Sequence, residues 1–156
     1  MTTATPVAGL AEEAVGLIAA EDPLDDALEG CPETLGRLAD PSRQAQEDLA
    51  GQAARLAARA ARAPVADAAE EVTRAVVVQQ ARAVADRLGT RLIEHTVADY
   101  QNSPLGRLLG SLPAVRPADE DQERGHLERL AAVPEYLAEA VERHREGLRA
   151  GRLPVA

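Results

Sequence analysis

The chain lacks most of the residue types that build wide hydrophobic cores. Its 156 residues include no Phe and no Trp, and its only Tyr residues are Tyr100 and Tyr136. The core must therefore be assembled from Leu, Val and Ala, which predicts closely spaced helices and no large aromatic pocket. Every one of the 17 basic residues is Arg, a bias that indicates a GC-rich genome rather than a binding site.

Cysteine is nearly absent as well. The single residue Cys31 excludes a disulfide within the chain and is typical of a reducing compartment. It lies in a Gly-Cys-Pro turn with no neighbouring His or Arg in the sequence to lower the pKa of its thiol, so we assign it no nucleophilic role.

Positive charge and long apolar runs are also scarce. The formal net charge is −9, which disfavours nucleic acid and anionic membranes as partners because both require clustered cations. No apolar run approaches the roughly 20 residues of a membrane-spanning helix. Glu12 and Glu13 precede any apolar stretch of the length that a signal peptide requires. We expect a soluble, cytoplasmic protein that binds neither nucleic acid nor membrane.

What the chain does contain is a helical pattern over most of its length. Apolar residues recur at helical spacing, as for Leu10, Ala14 and Leu17, whereas residues 22–40 are rich in Pro and Gly and predict an irregular linker with one short turn. These patterns predict an all-α fold, an irregular helical bundle of about five to six helices with one long central helix, in a single domain over residues 1–156. The predicted helices span residues 8–20, 41–63, 65–99, 103–112, 119–132 and 134–150.

Several helix boundaries carry specific signals. Asp40 followed by Pro41 predicts a cap and a first helical position, and Gly151 predicts a helix end. The helix over residues 65–99 would extend about 50 Å. We therefore expect it either to kink near Gly89 or to span a larger assembly.

The sequence contains no recognisable catalytic or metal-binding pattern. Zinc hydrolases of the common helical type place two His residues four positions apart on one helix, with a Glu beside the first. Here His95, His126 and His144 are isolated from one another. His95 continues an apolar stripe at helical spacing, and we interpret it as a packed core residue. The sequence predicts no catalytic residue, no cofactor or cofactor-binding residue and no metal ligand.

Three segments in the second half of the chain match the order and spacing of a known family. Residues 104–106 (PLG) open a Leu-rich turn, residues 130–137 read LAAVPEYL, and residues 145–148 (REGL) precede Gly151 and Pro154. A weaker similarity runs through residues 22–24, Gly30, residues 35–38 and residues 40–42. In these features the chain resembles the amino-terminal region of the bacterial domain of unknown function 885 family, whose members are zinc-peptidase-like proteins several times its length.

The resemblance implies an almost wholly helical protein. The zinc site of the family is a His-Glu-x-x-Pro-Gly-His-His type motif in the carboxy-terminal half, and this chain contains no such motif. The resemblance therefore carries over no ligand or catalytic residue, and it implies a scaffold role for residues 145–151 (REGLRAG), whose glycines would allow close helix packing or a helix end. We expect a non-catalytic amino-terminal fragment or remnant of a metallopeptidase-like protein. Its exposed helix faces would bind the missing carboxy-terminal region, a second copy or another protein.

Two alternatives remain open on the sequence. The chain could be a stand-alone helical interaction or regulatory module that homodimerises or binds a protein partner. It could also be a hydrolase itself, which would require folding to bring His95, His126 and His144 together around one metal ion.

Overall fold

The computed structural model describes residues 5–29, 31–96 and 103–152, and over these residues it contains helices and no strand. The all-α prediction is confirmed. The six α-helices are α1 (Pro6–Glu21), α2 (Pro23–Leu28), α3 (Arg43–Ala60), α4 (Ala68–Gly89), α5 (Pro104–Ser111) and α6 (Glu120–Arg149). Short 3-10 helices lie at Pro32–Thr34, Leu92–Glu94 and Leu112–Ala114. None of the helices in the described residues has the length and apolar character needed to cross a membrane.

The chain forms two compact units rather than one continuous core. Unit 1 consists of Met1–Glu21 and Glu47–Thr90, and unit 2 consists of Asp22–Gln46 and Arg91–Ala156. One boundary between the units falls inside α3, between Gln46 and Glu47, where neither Pro nor Gly interrupts the helical pattern.

Unit 1 is held by small apolar side chains. Helix α1 packs against α4, and α3 contributes Ala53, Leu56 and Ala60, none of which is accessible to solvent. Alanines at such positions let helix axes approach closely, as the aromatic-poor composition predicted. The two core clusters consist of Ala14, Leu56, Ala57, Ala60, Val77 and Ala81, and of Leu17, Ala53 and Val84.

Unit 2 combines an apolar cluster with buried charge. Its cluster contains Leu24, Ala27, Leu35, Leu108 and Val115, with Tyr136 and Leu137 packed against it. Helix α6 contacts α5 and the 3-10 helix Leu92–Glu94. Its most buried residues are Arg129, Ala140, Arg143 and Gly147, so its inward side contains charged and small residues beside the apolar Val133, Tyr136 and Leu137.

The long predicted helix over residues 65–99 is shorter in the structure. Helix α4 ends at Gly89 with Thr90 as its cap, and Arg91 adopts a left-handed backbone conformation with φ of 53°. A residue in this conformation stops an α-helix. His95 therefore follows the 3-10 helix Leu92–Glu94 and does not continue the stripe of α4, and it is half-buried. Residues 97–99 of the prediction lie outside the described residues.

Two boundaries near the start of the chain also differ from the prediction. Helix α3 begins at Arg43 and not at Pro41, because the Ser42 hydroxyl accepts a hydrogen bond from the N–H of Ala45 while Asp40 accepts one from the N–H of Ser42. The predicted linker 22–40 contains α2, whose first turn is capped by Asp22 through the N–H of Asp25.

The last two predicted helices are one helix in the structure. Helix α6 runs through Pro134 without a break, although proline removes a backbone N–H and is normally disfavoured in a helix interior. Buried residues of α6 lie on both sides of Pro134, at Arg129 and at Ala140. Packing of the same stripe before and after the proline maintains a continuous helix.

Replacing Pro134 with Ala restores a backbone N–H inside α6, where the carbonyl of Leu130 is in position to accept it. A proline in a helix interior costs about 3 kcal/mol. Allowing about 1 kcal/mol for the greater freedom of the unfolded variant, we expect Pro134→Ala to raise the free energy of unfolding by about 2 kcal/mol. Urea denaturation followed by circular dichroism measures the change.

Pro113→Ala is the control for this substitution. Pro113 is exposed and lies in the first turn of the 3-10 helix Leu112–Ala114, where a missing N–H carries little penalty. We expect its replacement to lower the free energy of unfolding by up to about 1 kcal/mol. A loss of stability in Pro134→Ala equal to that in Pro113→Ala would show that Pro134 imposes no penalty on α6.

Candidate functional site

A fully buried carboxylate lies at the centre of a charged cluster in unit 2. The side chain of Glu94 is 0% exposed, and its Oε1 accepts a hydrogen bond of 2.9 Å from Nη2 of Arg143. Its Oε2 accepts a hydrogen bond from Nε of Arg152, and Nη2 of Arg43 lies 3.7 Å from Oε1. One carboxylate thus joins the start of α3, the 3-10 helix Leu92–Glu94 and the end of α6.

A second carboxylate completes the cluster. Arg43 donates from Nε and Nη2 to Oε2 of Glu146, at 3.1 and 2.8 Å. Nε of Arg143 lies 3.5 Å from the same oxygen. Three arginines and two glutamates therefore share one network, with a formal charge of +1 (3 minus 2). We call Arg43, Glu94, Arg143, Glu146 and Arg152 the Glu94 cluster.

Arg143 is the most buried cation of the Glu94 cluster, with a side chain that is only 2% exposed. Besides Glu94, it donates from Nη1 to the carbonyl of Pro41 at 3.1 Å and to Oε1 of Gln46 at 2.9 Å. A buried guanidinium is stable only when its charge is paired and its N–H groups are bonded. These partners pair the charge and bond both terminal nitrogens, while Nε has no hydrogen-bond partner among the described residues and lies 3.5 Å from Glu146. They attach residues 41–46 to α6.

Two glycines place the end of α6 against Glu94. A Cβ atom at Gly147 would lie 2.9 Å from both Cβ and the carbonyl oxygen of Glu94, so only glycine permits this approach. Gly151 has φ of +73°, and the N–H groups of Gly151 and Arg152 bond to the carbonyls of Leu148 and Gly147. This is a Schellman helix end, and it turns the chain so that Arg152 reaches Glu94. The REGLRAG segment therefore contains one glycine for close packing and one for the helix end, as the sequence predicted.

The electrostatics of Glu94 favour its ionised form. Burial raises the pKa of this carboxyl, but hydrogen bonds from Arg143 and Arg152 outweigh burial and bring the pKa below its ordinary value. A general acid or base that operates near neutral pH requires a raised carboxyl pKa and access to substrate. Both oxygens of Glu94 are occupied by arginines, so its arrangement is that of a structural anion.

Arg129 is a second fully buried cation, and it contacts backbone rather than a carboxylate. Its side chain has 0% exposure, and Nη2 donates to the carbonyls of Pro23 and Thr34. Within the described residues, its Nε and Nη1 have no hydrogen-bond partner, and burial lowers the pKa of its guanidinium. Arg129 thereby connects the first turn of α2 and the 3-10 helix Pro32–Thr34 to α6.

The three histidines do not form a metal site within one chain. His126 and His144 are both on α6 and 18 residues apart, a separation of about 27 Å along a helix. Burial lowers the pKa of His144, and its hydrogen bond to the backbone of Ile93 acts in the opposite direction. His95 is half-buried. In the parts of the chain that the structure describes, no group of three or more His, Cys, Asp or Glu could hold a metal ion.

Cys31 is similarly unsuited to nucleophilic chemistry. Its thiol is partly buried, and burial together with the nearby charge of Asp26 raises the thiol pKa. Reactive thiolates instead require cationic surroundings that lower this pKa.

Comparison with known proteins identifies no relative of this chain. No protein-family model matches the chain, and neither the curated proteins nor the solved structures contain a significant match.

The sequence patterns did not identify the Glu94 cluster or Arg129. Arginines are normally exposed, and nothing adjacent to them in the sequence marks burial. The available signal was the periodicity of α6, because Arg129 and Arg143 fall on the same helical stripe as Ala140 and Gly147. When small residues lie on the same side of a helix as an arginine, the guanidinium has room to pack against the backbone of a neighbouring segment.

Glu94→Gln tests the role of the buried charge. The substitution preserves the shape of the side chain but leaves Arg143 without its counter-ion, and breaking a buried ion pair costs about 3–5 kcal/mol. We expect the free energy of unfolding at pH 7 to fall by about 3 kcal/mol, as measured by urea denaturation.

The same variant shows how the contribution of Glu94 to stability depends on pH. The pKa of Glu94 is lower in the folded chain than its ordinary value of 4.5, so ionised Glu94 stabilises the fold above that pH, and the contribution is lost as the pH falls through the folded-state pKa. The difference between the wild type and Glu94→Gln should therefore shrink on acidification below pH 4.5. Glu135→Gln, at an exposed position of α6, is the control and should show no such difference. If the difference in unfolding free energy between the wild type and Glu94→Gln does not change with pH, ionised Glu94 does not stabilise the fold.

Proposed function

We propose that this chain is a non-catalytic helical module that works by binding protein, and that it corresponds to the amino-terminal helical region of the zinc-peptidase-like family that its sequence resembles. The observation that carries the proposal is the distribution of residues around α6. Its inward stripe contains arginines and glycine, whereas its exposed large apolar residues are Leu127, Leu130, Val141 and Leu148.

This distribution departs in part from the usual one, because two arginines face inward and four large apolar residues are exposed, while Val133, Tyr136 and Leu137 face inward. A helix on the surface of a globular protein normally turns its large apolar residues inward and its charged residues to solvent. In α6 the buried positions of Arg129 and Arg143 are committed to ion pairs and backbone carbonyls, while Leu127 is 64% exposed. A single exposed Leu needs no explanation, but several on one helix face are typical of a contact surface.

The chemistry of the charged residues favours a non-catalytic role. Glu94 is ionised and bonded on both oxygens, and Arg143 is bonded to Glu94, Pro41 and Gln46. These groups stabilise the arrangement of unit 2 and present no free acid, base or nucleophile to a substrate. In the longer proteins that the chain resembles, the expected occupant of the exposed apolar faces is the carboxy-terminal region.

A second candidate function is a stand-alone helical module that homodimerises. The same exposed leucines favour it, because a module without a covalently attached partner would bury them against another chain. The two candidates differ in the occupant of the surface and agree that the surface binds protein.

The mass of the protein in its host tests the correspondence to the longer family. An antibody raised against this chain should detect, in an immunoblot of host lysate, a species several times larger than 16.5 kDa. A single species at 16.5 kDa would contradict the correspondence and favour the stand-alone module. The recombinant chain, added to the lysate of an unrelated cell, serves as the size standard.

Exposed apolar surface tests the protein-binding function itself. We expect the purified chain to enhance the fluorescence of a hydrophobic dye and to show a melting temperature that rises over about a hundredfold range of protein concentration, because association stabilises the folded state. A compact monomer that neither binds the dye nor changes its melting temperature with concentration would contradict the function.

A further inference from the structure

We propose that the exposed apolar face of α6 is a self-association surface on which a second copy of this chain packs its own α6 in the antiparallel direction. The inference rests on the proposed function, because it names the partner of a chain that works by binding protein. The surface, which we call the α6 seam, consists of Leu127, Leu130, Pro134, Val141 and Leu148.

The seam runs along one side of α6, and the exposed Arg145 lies within the same arc between Val141 and Leu148. At 100° per residue, its five members lie within an arc of about 60°, and Leu127, Pro134, Val141 and Leu148 follow each other at intervals of seven residues. All five side chains are exposed. A seven-residue apolar interval is the pattern by which two helices pack along their length.

Small residues allow a second helix to approach the middle of the seam. Ala131 and Ala138 are exposed and lie beside Pro134 on the helix surface. The distance between two packed helices depends on the side chains at their point of contact. A two-fold axis midway between Pro134 and Ala138 would place Pro134 of one copy beside Ala138 of the other where the helices are closest, with the larger Leu and Val residues on either side.

The charges at the two ends of α6 favour the antiparallel direction. Glu120 and Glu123 lie in its first turn, and Arg145 and Arg149 lie near its last. Among the described residues, neither Glu123 nor Arg149 has an ion-pair partner. Antiparallel packing brings Glu123 of one copy beside Arg149 of the other and does so twice, because a two-fold interface is self-complementary. Parallel packing would place like charges together and align the two helix dipoles.

The size of the seam indicates a reversible dimer. It is about 32 Å long and, for a helix about 10 Å wide, covers about 300 Å² of each chain. Stable interfaces bury about 800 Å² per partner. We therefore expect a dissociation constant in the micromolar range or weaker, so that the chain is monomeric when dilute and dimeric when concentrated.

Sedimentation velocity of the full chain over a series of concentrations tests the seam. Leu127→Glu introduces a charge at a seam residue that is 64% exposed, and Val72→Glu on α4 is its control because Val72 has the same exposure outside the seam. We expect Leu127→Glu to weaken dimerisation by at least about tenfold, because the new carboxylate would have to lose water against apolar residues of the other copy, and Val72→Glu to leave it unchanged. Circular dichroism confirms that both variants remain folded.

A charge exchange tests the antiparallel direction. Glu123→Arg and Arg149→Glu should each weaken dimerisation severalfold, and the double variant should recover most of the loss because the pair between copies is re-formed with its signs reversed. If the double variant dimerises as weakly as the single variants, the antiparallel arrangement is overturned.

The outcomes separate this inference from the proposed function. Association that is insensitive to Leu127→Glu, or equally sensitive to Val72→Glu, would overturn the seam and leave the protein-binding function in place. A wild-type chain that is monomeric at every concentration but binds the hydrophobic dye would also overturn self-association alone. A monomer that does not bind the dye would overturn both.

Discussion

The ion pair between Glu94 and Arg143 is the interaction on which the arrangement of unit 2 depends. Transferring either charge from water to a protein interior costs several kcal/mol, and neither side chain retains contact with solvent beyond 2%. Mutual pairing, with added hydrogen bonds from Arg152 and to Pro41 and Gln46, offsets that cost. Each of these groups is stabilised only when the others are correctly positioned. The ion pair and its hydrogen bonds therefore fix the relative positions of segments that are distant in the sequence.

This constraint determines what α6 can do. The inward side of α6 must receive guanidinium groups and approach the backbone of Glu94, and Gly147 meets the second requirement. Val133, Tyr136 and Leu137 also face inward, against the apolar cluster of unit 2, whereas Leu127, Leu130, Val141 and Leu148 are exposed. The residues that contact the buried charge therefore lie on a different side of α6 from its exposed apolar residues.

The two units achieve stability by different means. Unit 1 relies on alanine and leucine packing, and the ion pairs that join its helices are largely exposed, as for Arg59 with Glu13. Such pairs contribute little, typically less than about 1 kcal/mol. Unit 2 instead buries charges that are stabilised by an ion pair and by hydrogen bonds to backbone carbonyls. The chain therefore contains an apolar unit that tolerates changes of surface charge and a second unit in which charge is part of the interior.

The amino-acid sequence by itself determined the local elements of this protein. Helical periodicity, the caps at Ser103 and Asp119 and the stop at Gly151 depend on groups within a few residues of one another. The lack of aromatic residues likewise determined a core of small side chains. Only the tertiary structure decided that α6 continues through Pro134 and that Arg143 is buried. The buried carboxylate that accepts a hydrogen bond from Arg143 lies 49 residues away, so the residues around Arg143 do not by themselves determine that its side chain is buried.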